Sequence, residues 1–362
     1  MDDVAAFFAG LRATRHTLHA HPEASFKEFK TQDFLEAYLL NESHIPLENI
    51  KRVATTGTTD MNKLDPRLTL SPSLGLVVDI HGPTEGAKST TALTCIAFRA
   101  DMDGLPMTEH NPHLSYQSTA DQCAHMCGHD GHMTTLLGFA TLVQSHRHLL
   151  PPHTTVRLLF QPAEEGHFGA VAMIKDGCLD GVDEIYGAIV TIAQVHGGEA
   201  DNVIPSSVTM SGTTRDFAPS VADVIRTRMS AIVTHTAAAF GVQGTIQFDE
   251  RYPATVNAVD QAEIVRKVAQ SVAGEANVTA DGLPLCASED FSFYLKERPG
   301  AFFFIGTVSS ASQNRTLHSG TFDFNDTILP VSVRMFLELA QHRLDCQLYD
   351  PVEMARIHCP LK

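Results

Sequence analysis

Short apolar runs alternate with stretches of helical periodicity over both ends of this chain, and that alternation is what most limits its fold. Phe7, Phe8 and Leu11, then Phe34, Leu35, Tyr38 and Leu39, predict two helices on either side of a turn at His21-Pro22. Leu74–Ile80 and Cys95–Ala100 read as buried strands after a polar, proline-bearing loop over Asp60–Ser73. A helix follows over Gly131 to about His146, then a strand over Thr155–Phe160 and a helical turn at Val171–Lys175. This order predicts an α/β domain, its mostly parallel central sheet flanked by helices. From Ala188 the texture changes. Ile189–Val195 and Val208–Thr213 are β-rich, Val221–Phe240 is helical, and Thr245–Phe248 reads as a short strand. Such a β-β-α-β order predicts a small inserted α+β domain. The α/β pattern resumes after Tyr252-Pro253, with a helix at Ile264–Val272, a strand at Ala301–Ile305 and a closing helix at Ile328–Leu344. The expected division is therefore 1–187 with 253–362, interrupted by 188–252.

Composition narrows the function classes. A formal net charge of -16, from 42 acidic against 26 basic residues, repels phosphate backbones and disfavours a nucleic-acid partner. No apolar run reaches bilayer length, so no membrane role is expected. The start, Met1-Asp2-Asp3, lacks a signal-peptide pattern, and the expectation is a cytoplasmic protein. The seven cysteines are scattered and odd in number, which predicts free thiols. Only Cys127 has polar neighbours.

Those neighbours form the densest chemical signal, His125-Met-Cys-Gly-His-Asp-Gly-His132. Thiolate and imidazole suit zinc and similar divalent ions, and Cys127 and His129, two apart, project to the same side of an extended segment. A polar His-rich loop is the bland alternative. Glu164 and Glu165 follow the strand Thr155–Phe160; adjacent carboxylates there can divide metal binding from proton transfer, although an isolated pair is more often solvated surface. Asp101 and Asp103 follow another apolar strand and could orient a metal ligand from behind, although loops after strands are commonly acidic. His318, in Leu317-His-Ser-Gly320, is on its own an ordinary loop histidine.

Together these segments resemble the M20 metallopeptidase and amidohydrolase family, in the branch of hippurate hydrolases, aminoacylases and auxin-conjugate hydrolases. The resemblance is carried by Arg15-His-Thr-Leu-His-Ala-His-Pro-Glu23, Arg99-Ala-Asp-Met-Asp-Gly-Leu-Pro106, Met126-Cys-Gly-His-Asp-Gly-His-Met133 and Gln161-Pro-Ala-Glu-Glu-Gly166. It continues through His196–Pro205, Ser211–Arg215, Ser288–Phe291 and Phe322–Asp326. It implies metal-dependent hydrolysis of an amide bond in a small N-acyl amino acid or related conjugate, with zinc, manganese or cobalt as the ion. Cys127, His129, Glu165 and His318 would be metal ligands, Glu164 the general base, and Asp101 the residue orienting the site. Asn202 and Arg215 match lid positions near substrate, while His19, His125, His132 and His196 are read as structural.

The chain also departs from that pattern. After Ile185-Tyr-Gly187 the family runs into a Leu-His-Asn-Trp-Pro-like segment whose His binds metal; here Ala188–Val195 follows at once, and the chain has no Trp. The first lid strand, first lid helix and a Gly-Gly-His segment lack counterparts, and Asp60–Ser73 reads as an insertion. The expectation is a shortened lid, one ion or a weak second one, and weakened homodimer contacts. The alternative is a catalytically impaired relative, from an altered splice form or gene model, that binds metal or ligand only.

Overall fold

The structure, a computed structural model, describes residues 4–53, 74–86, 92–165, 167–189, 214–285, 287–307 and 317–357. Six strands form one sheet: β1 (Ile50–Val53), β2 (Gly75–His81), β3 (Cys95–Asp101), β4 (Thr155–Gln161), β5 (Glu184–Ile189) and β6 (Gly300–Phe304). Their spatial order is β1-β2-β4-β3-β5-β6. The β3–β4, β3–β5 and β5–β6 pairings are parallel, whereas β1–β2 and β2–β4 are antiparallel. The mostly parallel sheet is thus present with an antiparallel margin. β1 escaped the sequence reading because it is short and its central Lys51 and Arg52 are exposed.

Every residue of β3 is buried, because helices cover both faces of the sheet. Ile96, Phe98 and Ala100 point into one core layer and Cys95 and Ala97 into the other, as the period of two requires. The first layer lies under α1 (Val4–Ala20), α2 (Phe29–Asn41), α3 (His129–Ser145) and, further along, Leu329–Leu344. There the Phe98 ring packs at a tilt against Phe139 at 4.7 Å and Phe336 at 5.1 Å. The second layer includes α4 (Gly169–Lys175).

Next come α5 (Pro219–Ala239), α6 (Val259–Ala273), α7 (Phe291–Glu297), α8 (Leu329–Leu344) and α9 (Pro351–Arg356). The long helix expected at Val221–Phe240 is α5, and of its side chains only Ala237 is buried. Thr245–Phe248 joins no ladder among the described residues, which corrects the expected strand; its β propensity finds no described neighbour to pair with. β5 reaches Ile189, two residues past the expected domain edge, and the rest of Ile189–Val195, with Val208–Thr213, lies outside the described residues. Among the described residues no helix is long and apolar enough to cross a membrane.

Candidate metal centre

Parallel pairing of β3 with β4 sets Asp101 beside Gln161 at the ends of their strands. The turns that follow, carrying Asp103 and Glu164-Glu165, therefore emerge side by side at the carboxyl edge of the sheet, where α/β folds build their sites. The loop bearing Cys127 enters α3 against them. Its Gly128 has φ 83°, and any Cβ on Gly131 would run into the ring of Phe324, so the helix start sits tightly on the Phe322–Phe324 segment.

The four expected ligands converge. His318 Nε2 lies 3.3 Å from Cys127 Sγ and 3.3 Å from Glu165 Oε1, and His129 Nε2 lies 3.9 Å from the same Glu165 oxygen. The His318 backbone N–H donates to the Met126 carbonyl at 2.9 Å, tying its loop to the thiol's loop. His129 Nδ1 is 2.8 Å from the main-chain oxygen of Asp103; as donor there it turns Nε2 inward, where that nitrogen is buried without a hydrogen bond. Burial, then the charges of Glu165 and Glu164, pushes the Cys127 thiol well above its ordinary range. Burial alone would lower His129, but Asp101, Asp103 and Glu165 outweigh it and raise the imidazole to about 10. Buried acids, a thiol and an unsatisfied imidazole nitrogen in one place call for a cation. A divalent ion fits this donor set, which mixes soft sulfur with nitrogen and oxygen.

Glu164 is buried beside the centre. Burial and the charges of Glu289, Glu165 and Asp290 hold its carboxyl well above the usual range, with Arg99 opposing. Arg99 is buried and donates to Asp101 at 2.7 Å, Gln161 at 2.8 Å, Glu289 at 3.1 Å and Asp290 at 3.0 Å. Burial and Glu289 raise Asp290 to about 8 against the pull of Arg99, so one guanidinium does not neutralise the cluster.

The Glu164-Glu165 turn is held by side chains from distant segments. Asp103 Oδ1 accepts the Glu164 N–H and Oδ2 the Glu165 N–H, each at 3.1 Å. Tyr252 Oη donates to the Glu164 carbonyl at 2.6 Å. Glu28, fully buried, accepts the Ala163 N–H at 2.9 Å. Ala163 needs that support because its φ is 57°, a left-handed conformation that is strained for alanine. Glu28→Ala is therefore expected to lower metal affinity about tenfold or more, as loss of an outer-shell partner does. Glu28→Gln, which keeps an acceptor, should recover most of it in a metal titration.

Behind Cys127 lies a second charged network. Asp130 accepts from Arg15 at 3.1 Å and from His19 at 2.8 Å, and His19 reaches Glu109 at 3.2 Å. Arg15 also binds Asp326 at 2.7 Å. Burial would lower His19, but its bonds to Asp130 and Glu109 raise it from 6.5 to about 9. A raised imidazole stabilises the fold fully below 6.5 and ceases to do so as pH climbs through about 9. Urea unfolding should thus show up to roughly 3 kcal/mol lost between those values, and a flatter profile in His19→Gln.

His19 is held by Asp130 and Glu109, and buried His125, lowered to about 4 chiefly by burial, belongs to none of the metal-ligating groups among the described residues. His132 does not stay in the background: its Nδ1 is 2.6 Å from Asp101 Oδ1, inside the centre. Arg215 is exposed and donates to the Thr214 carbonyl at 3.3 Å, so it is not among the side chains gathered here. Asn202 and His196 lie outside the described residues. Reasoning from the sequence passed over Arg99, Glu289 and Asp290 as functional residues, although each sits in a recognised motif; Glu28 carried no local signal.

Comparison with known proteins identifies the family. The pattern of peptidase family M20/M25/M40 matches residues 97–342. The chain is 27% identical to an N-acetyl-L-cysteine deacetylase of Bacillus subtilis, covering 91% of this chain and 87% of the relative. It is also 27% identical to IAA-amino acid hydrolase ILR1-like 4 of Arabidopsis thaliana, over 93% and 86%. Among solved structures, a Bacillus subtilis dinuclear metal binding peptidase of the M20 family superposes with a TM-score of 0.73 at 26% identity, covering 95% of this chain and 99% of that one.

Proposed function

The chain belongs to peptidase family M20/M25/M40 and is a metal-dependent amidohydrolase, and from that premise we propose that it cleaves the amide bond of a small N-acyl amino acid or related conjugate. The observation that carries the reading is the meeting of Cys127, Glu165 and His318, with His129 and Glu164 against them. The relatives' names, a deacetylase of N-acetyl-L-cysteine and a hydrolase of IAA-amino acids, support the substrate class.

Cys127, His129, Glu165 and His318 would serve as the ligands of divalent metal, which when bound would supply Lewis acidity toward a carbonyl and toward water. Zinc, manganese and cobalt are the candidates, and the thiolate favours the softer among them. Glu164 is the general base. Its buried, acid-crowded surroundings raise its affinity for a proton, which suits a base that takes a proton from attacking water and returns it to the leaving nitrogen. Asp101 orients the centre through His132 and Arg99. Residues 1–187 and 253–362 form the catalytic unit in this reading. Residues 188–252 form a shortened lid that brings Asn202 and Arg215 toward substrate and carries any homodimer contact.

One observation favours a second reading, a catalytically impaired metal-binding relative. The alignment with the deacetylase runs over 402 positions, more than the 362 residues of this chain, so the relative has segments without counterpart here. A direct assay separates the two. The purified chain is given manganese, cobalt or zinc and offered N-acetyl and N-benzoyl amino acids. Metal-dependent release of free amino acid is the expected result; a bound ion with no turnover would establish the second reading instead.

A further inference from the structure

His129 and His132 stand one helical turn apart at the start of α3, their ring centroids 5.5 Å from each other. Both rings are tied down at Nδ1, His129 to the Asp103 carbonyl at 2.8 Å and His132 to Asp101 Oδ1 at 2.6 Å. In both, Nε2 is buried and makes no hydrogen bond. A ring nitrogen donating to a carbonyl or carboxylate while the other is left bare is the arrangement of a metal-binding histidine. Asp101, His129 and His132 each offer a ligand atom within 4.8 Å of the others, and His129 belongs as well to a group with Glu164 and Glu165, next to Cys127 and His318.

Charge points the same way. Asp101, Asp103, Glu164, Glu165, Glu289 and Asp290 crowd this region, and Arg99 is the buried guanidinium that answers them. A single dication held with an ionised thiol leaves most of that excess in place; a second one removes much of it.

We propose that His132 is a metal ligand, its Nε2 joining His129 to hold a second divalent ion beside the one gathered by Cys127, Glu165 and His318. Asp101 is then the residue that positions the His132 ring. The proposal rests on the reading of the centre given above and adds a ligand to it. The sequence offers no other histidine in Ala188–Val195, directly after β5, for the same task.

The test is a count of cobalt ions on the full chain, stripped of metal and equilibrated with Co²⁺, in the native form and in His132→Asn. The asparagine amide keeps a donor toward Asp101 and removes the Nε2 lone pair. The native chain should hold two ions. The variant should hold one, with second-ion affinity at least about 100-fold weaker and the thiolate-to-cobalt absorption of Cys127 unchanged. Equal stoichiometry in the two proteins would overturn the proposal. Should His132→Asn fail to fold, His132→Gln and the native count still decide it, because one ion on the native chain also overturns it. A native chain holding one ion with the thiolate band leaves the proposed function standing; one that holds no ion removes both.

Discussion

Glu164→Gln is expected to lower kcat by about 10²–10⁴-fold, the usual contribution of a positioned general base. Bound metal should stay the same, since Glu165 lies 3.3 Å from His318 and the group formed by Cys127, Glu165 and His318 does not include Glu164. The substitution keeps the side chain's shape, so the Asp103 and Tyr252 bonds to the turn's backbone remain. It also removes a buried acid crowded by Glu289, Glu165 and Asp290, so thermal stability should hold or rise. Steady-state kinetics alongside metal analysis checks all three outcomes. A variant that turns over normally would show that Glu164 only fills space; one that loses its ion would make it a ligand.

Cys127→Ala is the second large effect, with retained metal and turnover both lost. The thiol is buried, raised in pKa and 3.3 Å from His318, so it gains a negative charge only by meeting a cation. That links affinity to pH. The thiol is lifted above its ordinary range and His129 to about 10, so near neutral pH both bind protons that an incoming ion must displace. Affinity should therefore rise with pH, by roughly 10–100-fold per unit for one to two protons released. Calorimetric titration in buffers of different ionisation heat counts those protons. Cys127→Ala should release fewer of them, and an affinity flat in pH would contradict the assignment.

How much of this was legible beforehand depended on whether the signal was local. β3 and β4 were readable because burial on both faces leaves a continuous apolar run. Such a run looks the same in either direction, so the antiparallel placement of β2 was not. The proposed metal ligands were readable because Cys127 and His129 share a short motif and Glu165 and His318 stand in recognised company. Glu28 was not, since it meets Ala163 across 135 residues and its own neighbourhood, Lys27-Glu-Phe-Lys30, is ordinary amphipathic sequence. His132 was visible in the motif and read as structural, since a histidine just inside a helix is usually packing; its bond to Asp101 beside a bare Nε2 had no local signal in the sequence. Thr245–Phe248 failed for the opposite reason, a local propensity without a described partner strand.

The central claim is that Cys127, Glu165 and His318, from three separate segments of the chain, share an ion, with His129 beside them. Anomalous diffraction from crystals of the zinc- or cobalt-loaded chain, recorded across that metal's absorption edge, tests it most directly. The account predicts a peak bonded to Cys127 Sγ, Glu165 Oε1 and His318 Nε2, with His129 Nε2 turned toward the metal cluster. A loaded crystal whose only peaks lie away from these atoms would contradict it.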